Sequence, residues 1–352
     1  MTDPLLSVRD LRTQFDTDEG VVRAVDGVSF DVDRSETVCL VGESGSGKTV
    51  TAESITRLLP EPPARIAGEV RFDGRDLLSL SEAELERIRG GRIGHVFQDP
   101  QGALNPVYSV GWQLREAITL HRDVTRAAAR ERAVDLLRRV GIPRAASRVD
   151  DYPHEFSGGM QQRVVVAMAL AANPDLLIAD EPTTALDATI QLQILRLLAD
   201  VQAEFDTGIL LITHDLGVVA EVADRVVVLY GGKVMEAADV YDLFESPAHP
   251  YTRALLDCLP GRGRVEPIGG APPSSTDPPD GCRFHPRCPH AVPACRDGDQ
   301  PPLAPVGGDV DGPAAASEGS AADHAVSCVH FGPGGDPSAV LGPGDAPGGG
   351  DE

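Results

Sequence analysis

Apolar and polar positions follow two different periods along this chain. Residues 5–15 (LLSVRDLRTQF), 24–32 (AVDGVSFDV) and 36–42 (ETVCLVG) carry short apolar runs or alternation bounded by turn residues, which predicts strands. Residues 49–59 (TVTAESITRLL) predict a helix, and 92–98 (RIGHVFQ) another strand. From 112 to 140 the pattern turns helical and ends at Gly141, a suitable C-cap. Residues 157–174 read as a helix opened by glycines and closed before Pro174. A buried strand (175–182, DLLIADEP), a helix (189–205) and two further strands (208–215, GILLITHD; 224–232, DRVVVLYGG) follow. Strands alternating with helices predict a mainly parallel sheet covered on both faces.

After Pro260 this pattern fades. Residues 261–281 are rich in Gly, Pro and Asp and read as a linker or irregular arm. A cysteine-bearing segment follows. Residues 332–352 (GPGGDPSAVLGPGDAPGGGDE) hold so few core-forming side chains that they predict a disordered acidic tail. No internal repeat is present. No apolar run reaches the ~18 residues of a membrane span. The start, MTDPLLSVRD, has no basic start followed by the apolar block of a secretory signal. The expectation is a cytosolic protein whose membrane role comes from partners.

Charge changes the picture. Against 31 Lys and Arg stand 54 Asp and Glu, a net charge of −23. Such a surface repels phosphate backbones, so nucleic acid is not expected as a partner. Lys48 and Lys233 are the only lysines. Base-composition bias explains scarce lysine but not the acid excess; a salt-adapted cytoplasm explains both, because salt shortens charge repulsion.

Lys48 falls in Gly42–Thr49, GESGSGKT, which fits the G-x-x-x-x-G-K-[ST] phosphate loop with a strand before and a helix after. Gly42, Gly45 and Gly47 let the backbone N–H groups of Glu43, Ser44 and Ser46 curl around phosphates. Lys48 reaches the terminal phosphates, and the Thr49 hydroxyl can ligate Mg²⁺. The alternative, a chance glycine-rich turn, does not account for that context. In 176–182 (LLIADEP) an apolar strand carries Asp180 to a sheet edge where it can hold Mg²⁺, and Glu181 can orient or deprotonate a water. Alone, two acids at a strand end are as easily a solvated turn. Beside a phosphate loop they read as the second half of a nucleoside triphosphatase.

Phe156–Arg163, FSGGMQQR, decides the type, because a Ser-Gly-Gly helix start stands some twenty residues before Asp180. Here the chain resembles the ATP-binding cassette (ABC) family, the motor subunits of transporters. Other family elements follow suit: Gln98 in VFQDP matches the glutamine loop, 185–187 (ALD) the loop crossing a dimer interface, His214 in ITHD the switch histidine, and Phe15 the aromatic that stacks on adenine. The resemblance spans about 5–260. It implies a P-loop NTPase cassette with a mainly parallel core sheet, an antiparallel β subdomain and an α-helical subdomain near 100–172. It implies catalytic roles for Glu181, His214 and Gln98, and Mg²⁺ held through Thr49, Gln98 and Asp180. It also implies a head-to-tail dimer in which Ser157, Gly158, Gly159 and Asp187 of one cassette meet ATP on the other.

Residues 243–260 (LFESPAHPYTRALLDCLP), with PIGGAPPSS and GCRFHPRCPHA, resemble the C-terminal extension of oligopeptide and dipeptide importer ATPases, over about 245–296 and again at Cys328. This implies a peripheral subunit on the cytoplasmic face of the membrane. Its partners would be two integral membrane permease subunits, a second identical or homologous ABC ATPase and an extracellular solute-binding protein. The cargo would be peptides, with nickel, glutathione or sugar as the group's other solutes. A soluble ABC protein acting on DNA or ribosomes is disfavoured by the single cassette, the acidity and the absence of a long coiled-coil insertion. An exporter is disfavoured by the lack of fused membrane segments.

Four of the six cysteines crowd into the extension, which is placed at 261–331: Cys282, Cys288, Cys295 and Cys328. A reducing cytosol disfavours disulfides. The spacings are wider than the close pairs usual for zinc, and unpaired thiolates suit the separated corners of a cubane. His285, His290, His324 and His330 keep a Cys/His zinc site open. Some peptide-importer ATPases hold a [4Fe–4S] cluster in this extension, so the resemblance favours that cluster, with Zn²⁺ as the alternative.

Overall fold

A computed structural model describes residues 3–183, 187–259, 268–307 and 324–341. The chain divides into two compact units, one of Leu6–Asp31, Val38–Leu78 and Thr213–Glu352, the other of Met1–Leu5, Val32–Thr37 and Ser79–Ile212.

The unit bearing the phosphate loop holds two β assemblies. An antiparallel sheet runs in the order Gly20–Val32, Leu6–Thr17, Ala64–Phe72, Arg75–Asp76. In the other assembly Thr37–Val41 lies parallel to Arg225–Tyr230, with Leu40 opposite Val227. Lys233–Asp239 then pairs antiparallel with Arg225–Tyr230 and with His324–Val326, which in turn pairs with Ala304–Pro305. Val38, Cys39, Leu40 and Val41 are all buried, as expected of a strand covered on both faces. The helix Lys48–Ile55 crosses to the antiparallel sheet, where the buried hydroxyls of Ser54 and Thr13 share a hydrogen bond of 2.7 Å.

This unit continues into the extension through one buried carboxylate. Glu236, fully buried, accepts the N–H groups of Ala248 (2.7 Å) and His249 (2.8 Å) and the ring Nε2 of His324 (2.7 Å). His249 in turn caps the helix Pro250–Asp257, its Nδ1 accepting the N–H of Tyr251 at 3.0 Å. Burial pulls the His249 pKa down to about 4, which keeps that nitrogen an acceptor. The expectation of a disordered tail over 332–352 divides here. Residues 342–352 lie outside the described residues. Val340 and Leu341, however, are buried with Ala248, Val326, Cys328 and Phe331, and Arg253 donates to the Val340 carbonyl at 2.8 Å. Two apolar side chains suffice to fold a glycine-rich segment onto an existing core.

The other unit has three parallel strands: Leu176–Asp180 pairs with Ile93–Val96 on one side and with Gly208–Thr213 on the other. Its helices include Glu82–Ile88, Val110–His121, Arg126–Arg139, Gly158–Ala169 and Ala188–Phe205. The single helical pattern read over 112–140 is two helices. The chain turns extended at Arg122, and the Thr125 side chain accepts the N–H of Ala128 to start the second. Among the described residues, no helix is long and apolar enough to cross a membrane.

Candidate nucleotide site

The phosphate loop leaves the buried strand at Val41 and turns through positions that only glycine tolerates. Gly47 has φ +101°, and a Cβ there would stand 2.3 Å from the Ala24 carbonyl oxygen; at Gly42 it would stand 2.1 Å from that of Leu229. Gly45, by contrast, faces open space and is exposed, as are Ser44 and Thr49. The buried Lys48 Nζ donates to the carbonyls of Gly42 (2.8 Å) and Glu43 (3.0 Å), folding the loop back on itself. The Ser46 hydroxyl is buried with no hydrogen-bond partner among the described residues. No acid stands in the first turn of the helix that follows. A close-approach backbone, an ammonium, an unpaired hydroxyl and a helix start free of acid fit a polyphosphate. Phe15 is half-buried on its strand opposite Ala64. In the same unit His214 is exposed just beyond the end of Gly208–Thr213.

In the other unit, Asp180 ends its strand buried, and Glu181 follows with φ +45°. A non-glycine residue in this left-handed region stores strain that its surroundings must hold. Here the Glu181 N–H donates to the Ile212 carbonyl at 2.9 Å, continuing the strand pairing by one residue. Its carboxylate accepts from Gln98 Nε2 at 3.1 Å, so the structure brings these two together across 83 residues of sequence. Ser157 is exposed at the N-cap of Gly158–Ala169, but its side chain makes no capping bond. Gly158 is exposed and a Cβ there would meet nothing, so the helix start opens outward at that residue, while Gly159 is half-buried. Asp187 instead spends its Oδ1 locally, accepting the N–H groups of Thr189 and Ile190 as the cap of Ala188–Phe205. Ala185 lies outside the described residues. The oxygens of Thr49, Gln98 and Asp180 are the hard donors that Mg²⁺ prefers.

The four cysteines require a correction. Cys282, Cys288, Cys295 and Cys328 carry no [4Fe–4S] or zinc assignment: among the described residues no group of three or more His, Cys, Asp or Glu is placed to hold a metal ion. Burial, reinforced by neighbouring thiols, pushes Cys288 up to about 11 and Cys328 up to about 12, and raises Cys282, which keeps these thiols protonated at neutral pH. Three of the four nearby histidines have hydrogen-bond partners of their own. His285 Nδ1 lies 3.0 Å from the Cys282 carbonyl, His330 Nε2 lies 2.9 Å from that of His290, and His324 bonds Glu236. What fastens this segment is ion pairing and ring packing. Arg283 meets Asp26 at 2.7 Å, Arg287 meets Glu43 at 2.8 Å, and Phe284 packs on Tyr230 and Tyr251 at 5.3 Å. Sequence reasoning missed Arg283, Arg287 and Tyr251 as site residues, although two of its own markers, HPYTRALL and CRFHPRCPH, contain them.

Comparison with known proteins bears on the same residues. The ABC transporter family matches residues 25–184, and the oligopeptide/dipeptide transporter C-terminal region matches 235–295. The chain is 52% identical over 294 residues to the oligopeptide transport ATP-binding protein OppD of Bacillus subtilis, covering 82% of each. This chain belongs to the ABC ATP-binding subunits of the oligopeptide/dipeptide importer family. Another member, the dipeptide transport ATP-binding protein DppD of Escherichia coli, is 47% identical over 83% of this importer subunit and 90% of its own length. A solved ATP-binding cassette dimer in a post-hydrolysis state, bound to ADP and Pi, is 28% identical with a TM-score of 0.60, covering 67% of this chain and 98% of that one. The importer cassette thus has the ABC fold, and membership of an ATPase family implies ATP hydrolysis.

Proposed function

We propose that this chain is the translocating ATPase of a peptide importer, seated on the cytoplasmic face of the membrane against two permease subunits and served by a solute-binding protein. The observation that carries the reading is the strained Glu181, hydrogen-bonded to Gln98 directly after the strand-end Asp180. Lys48, Ser46 and the N–H groups of Gly42–Thr49 bind the phosphates of ATP, and Phe15 supports the adenine. Thr49, Gln98 and Asp180 hold Mg²⁺, which supplies charge neutralisation at the transferred phosphoryl group. Glu181 orients the attacking water and takes its proton, while Gln98 holds that carboxylate in place. His214 contacts the terminal phosphate.

A second cassette, identical or homologous, completes each site by presenting Ser157, Gly158, Gly159 and Asp187. The Ser157 hydroxyl, which makes no capping bond to its own helix, and the open helix start at Gly158 support that role. ATP bound in this way favours the closed pair, and hydrolysis removes the preference, which moves the permeases between two states. The peptide cargo is inferred from the names of the relatives, OppD and DppD among them. Glu181→Gln in the purified complex tests the chemistry. Turnover should fall by about 10²–10⁴ with MgATP binding retained, and undiminished hydrolysis would remove Glu181 from its role. Peptide-loaded binding protein should raise the ATPase rate of the wild-type complex.

A further inference from the structure

We propose that Arg287, carried by the cysteine-bearing extension, is a positioning residue of the phosphate loop: it neutralises and pins Glu43 so that the loop accepts a triphosphate. This rests on the reading that Gly42–Thr49 binds ATP.

Glu43 is an awkward residue for its place. It brings a carboxylate to the second position of a loop built to receive anions, where like charge opposes the ligand. The structure fixes Glu43 at three groups. Its N–H donates to Tyr251 Oη at 2.9 Å, its carbonyl accepts from Lys48, and its carboxylate takes a two-pronged pair from Arg287, Nη1 to Oε2 at 2.8 Å and Nη2 to Oε1 at 3.0 Å. Such fork-to-fork geometry is the strongest form of this bond and fixes direction as well as charge. The Arg287 side chain is only 5% exposed, so salt screens it little.

Arg287 has no freedom to do otherwise. Its Nε donates to the Gly269 carbonyl at 2.8 Å, Nη2 also to Ile268 at 3.1 Å, and Nη1 also to Tyr230 Oη at 3.0 Å. Tyr230, Tyr251 and Phe284 pack on one another around it. The extension also supports the far end of the loop. Arg283 and Lys233 both meet Asp26 Oδ2, and the Arg23 N–H donates to the Ser275 carbonyl at 2.8 Å. Between Arg23 and Asp26 stands Ala24, whose carbonyl leaves Gly47 no room for a side chain. One arm of the chain therefore backs both the first and the last turn of the phosphate cradle.

Equilibrium MgATP binding and steady-state ATPase assays on the full chain test this. Arg287→Ala should weaken MgATP binding and raise its KM about tenfold, the size expected for one uncompensated partly buried charge, while kcat changes less than twofold. Arg287→Lys should fall between, since it keeps the charge but not the fork. The deciding variant is the double Arg287→Ala, Glu43→Gln. Removing the now unpaired carboxylate should restore affinity to within about threefold of wild type, which a merely structural loss cannot do. If Arg287→Ala fails to fold, Arg287→Lys and Glu43→Gln carry the comparison. Wild-type affinity in folded Arg287→Lys and Arg287→Ala, or a double variant as weak as Arg287→Ala, would overturn the inference. A wild-type chain that binds no ATP would overturn the proposed function itself.

Discussion

The phosphate loop and the hydrolytic edge around Glu181 are built on opposite plans. The loop is finished within its own unit. Two glycines leave no space for side chains, Lys48 closes it from inside, and Glu43 is held by Arg287 from the extension and by Tyr251 from the helix Pro250–Asp257. The hydrolytic edge is poised but open. Glu181 is strained, its partner Gln98 is exposed, and Ser157 stands at a helix start with its hydroxyl unused by that helix. In the proposed dimer, a ready-made cradle would capture ATP before any partner arrives, and an open edge would delay chemistry until a second chain covers it.

The largest effect that would break this contrast is at Gly47. Gly47→Ala places a methyl against the Ala24 carbonyl with a strained φ, and MgATP affinity should fall by about 100-fold or more in a binding titration. Retained affinity would mean that the cradle is not preformed. Next comes pH. The folded His249 titrates at about 4 against 6.5 for the unfolded side chain, so the unfolded state binds more protons between those values. From His249 alone, stability should therefore drop as pH falls from 6.5, by about 2 kcal/mol at pH 5. His95 in the other unit is likewise lowered to about 4 by burial, so denaturant melts of His249→Gln, His95→Gln and the double variant apportion the slope. Third, Gln98→Ala should cost about tenfold in kcat, because it loosens Glu181 and removes one Mg²⁺ donor, while ATP affinity measured without Mg²⁺ changes little, because the cradle is intact. The smallest is Asp187→Ala, which removes the cap of Ala188–Phe205 and should cost about 1 kcal/mol in thermal denaturation.

Much of this was legible in the sequence, for definite reasons. GESGSGKT and LLIADEP are local: their glycines, apolar runs and strand-to-helix context lie within a dozen residues, so period and composition reveal them. The break at Arg122–Thr125 was not, because two helices sharing one apolar face keep a nearly continuous pattern, and only the Thr125 cap marks the join. The Glu43–Arg287 pair joins residues 244 apart, and no spacing rule reaches that far. The cysteines were misread for a related reason. Their spacing says nothing about how deeply each thiol is buried or which histidine nitrogens are already hydrogen-bonded. The tail beyond Phe331 was judged on average composition, while Val340 and Leu341 alone decide where its start goes.

Glu236 sets how this molecule responds to shortening from its C-terminal end. One carboxylate serves a strand of the cassette, the start of the helix Pro250–Asp257 and the last described strand at once. Removal of His324 would leave a fully buried charge short of a donor, a loss felt in the cassette and not just in the arm. Nested deletions should therefore fail abruptly at a single boundary. A protease that trims the arm past His324 would loosen the nucleotide unit along with it, which makes the terminus a built-in tamper seal for the whole subunit.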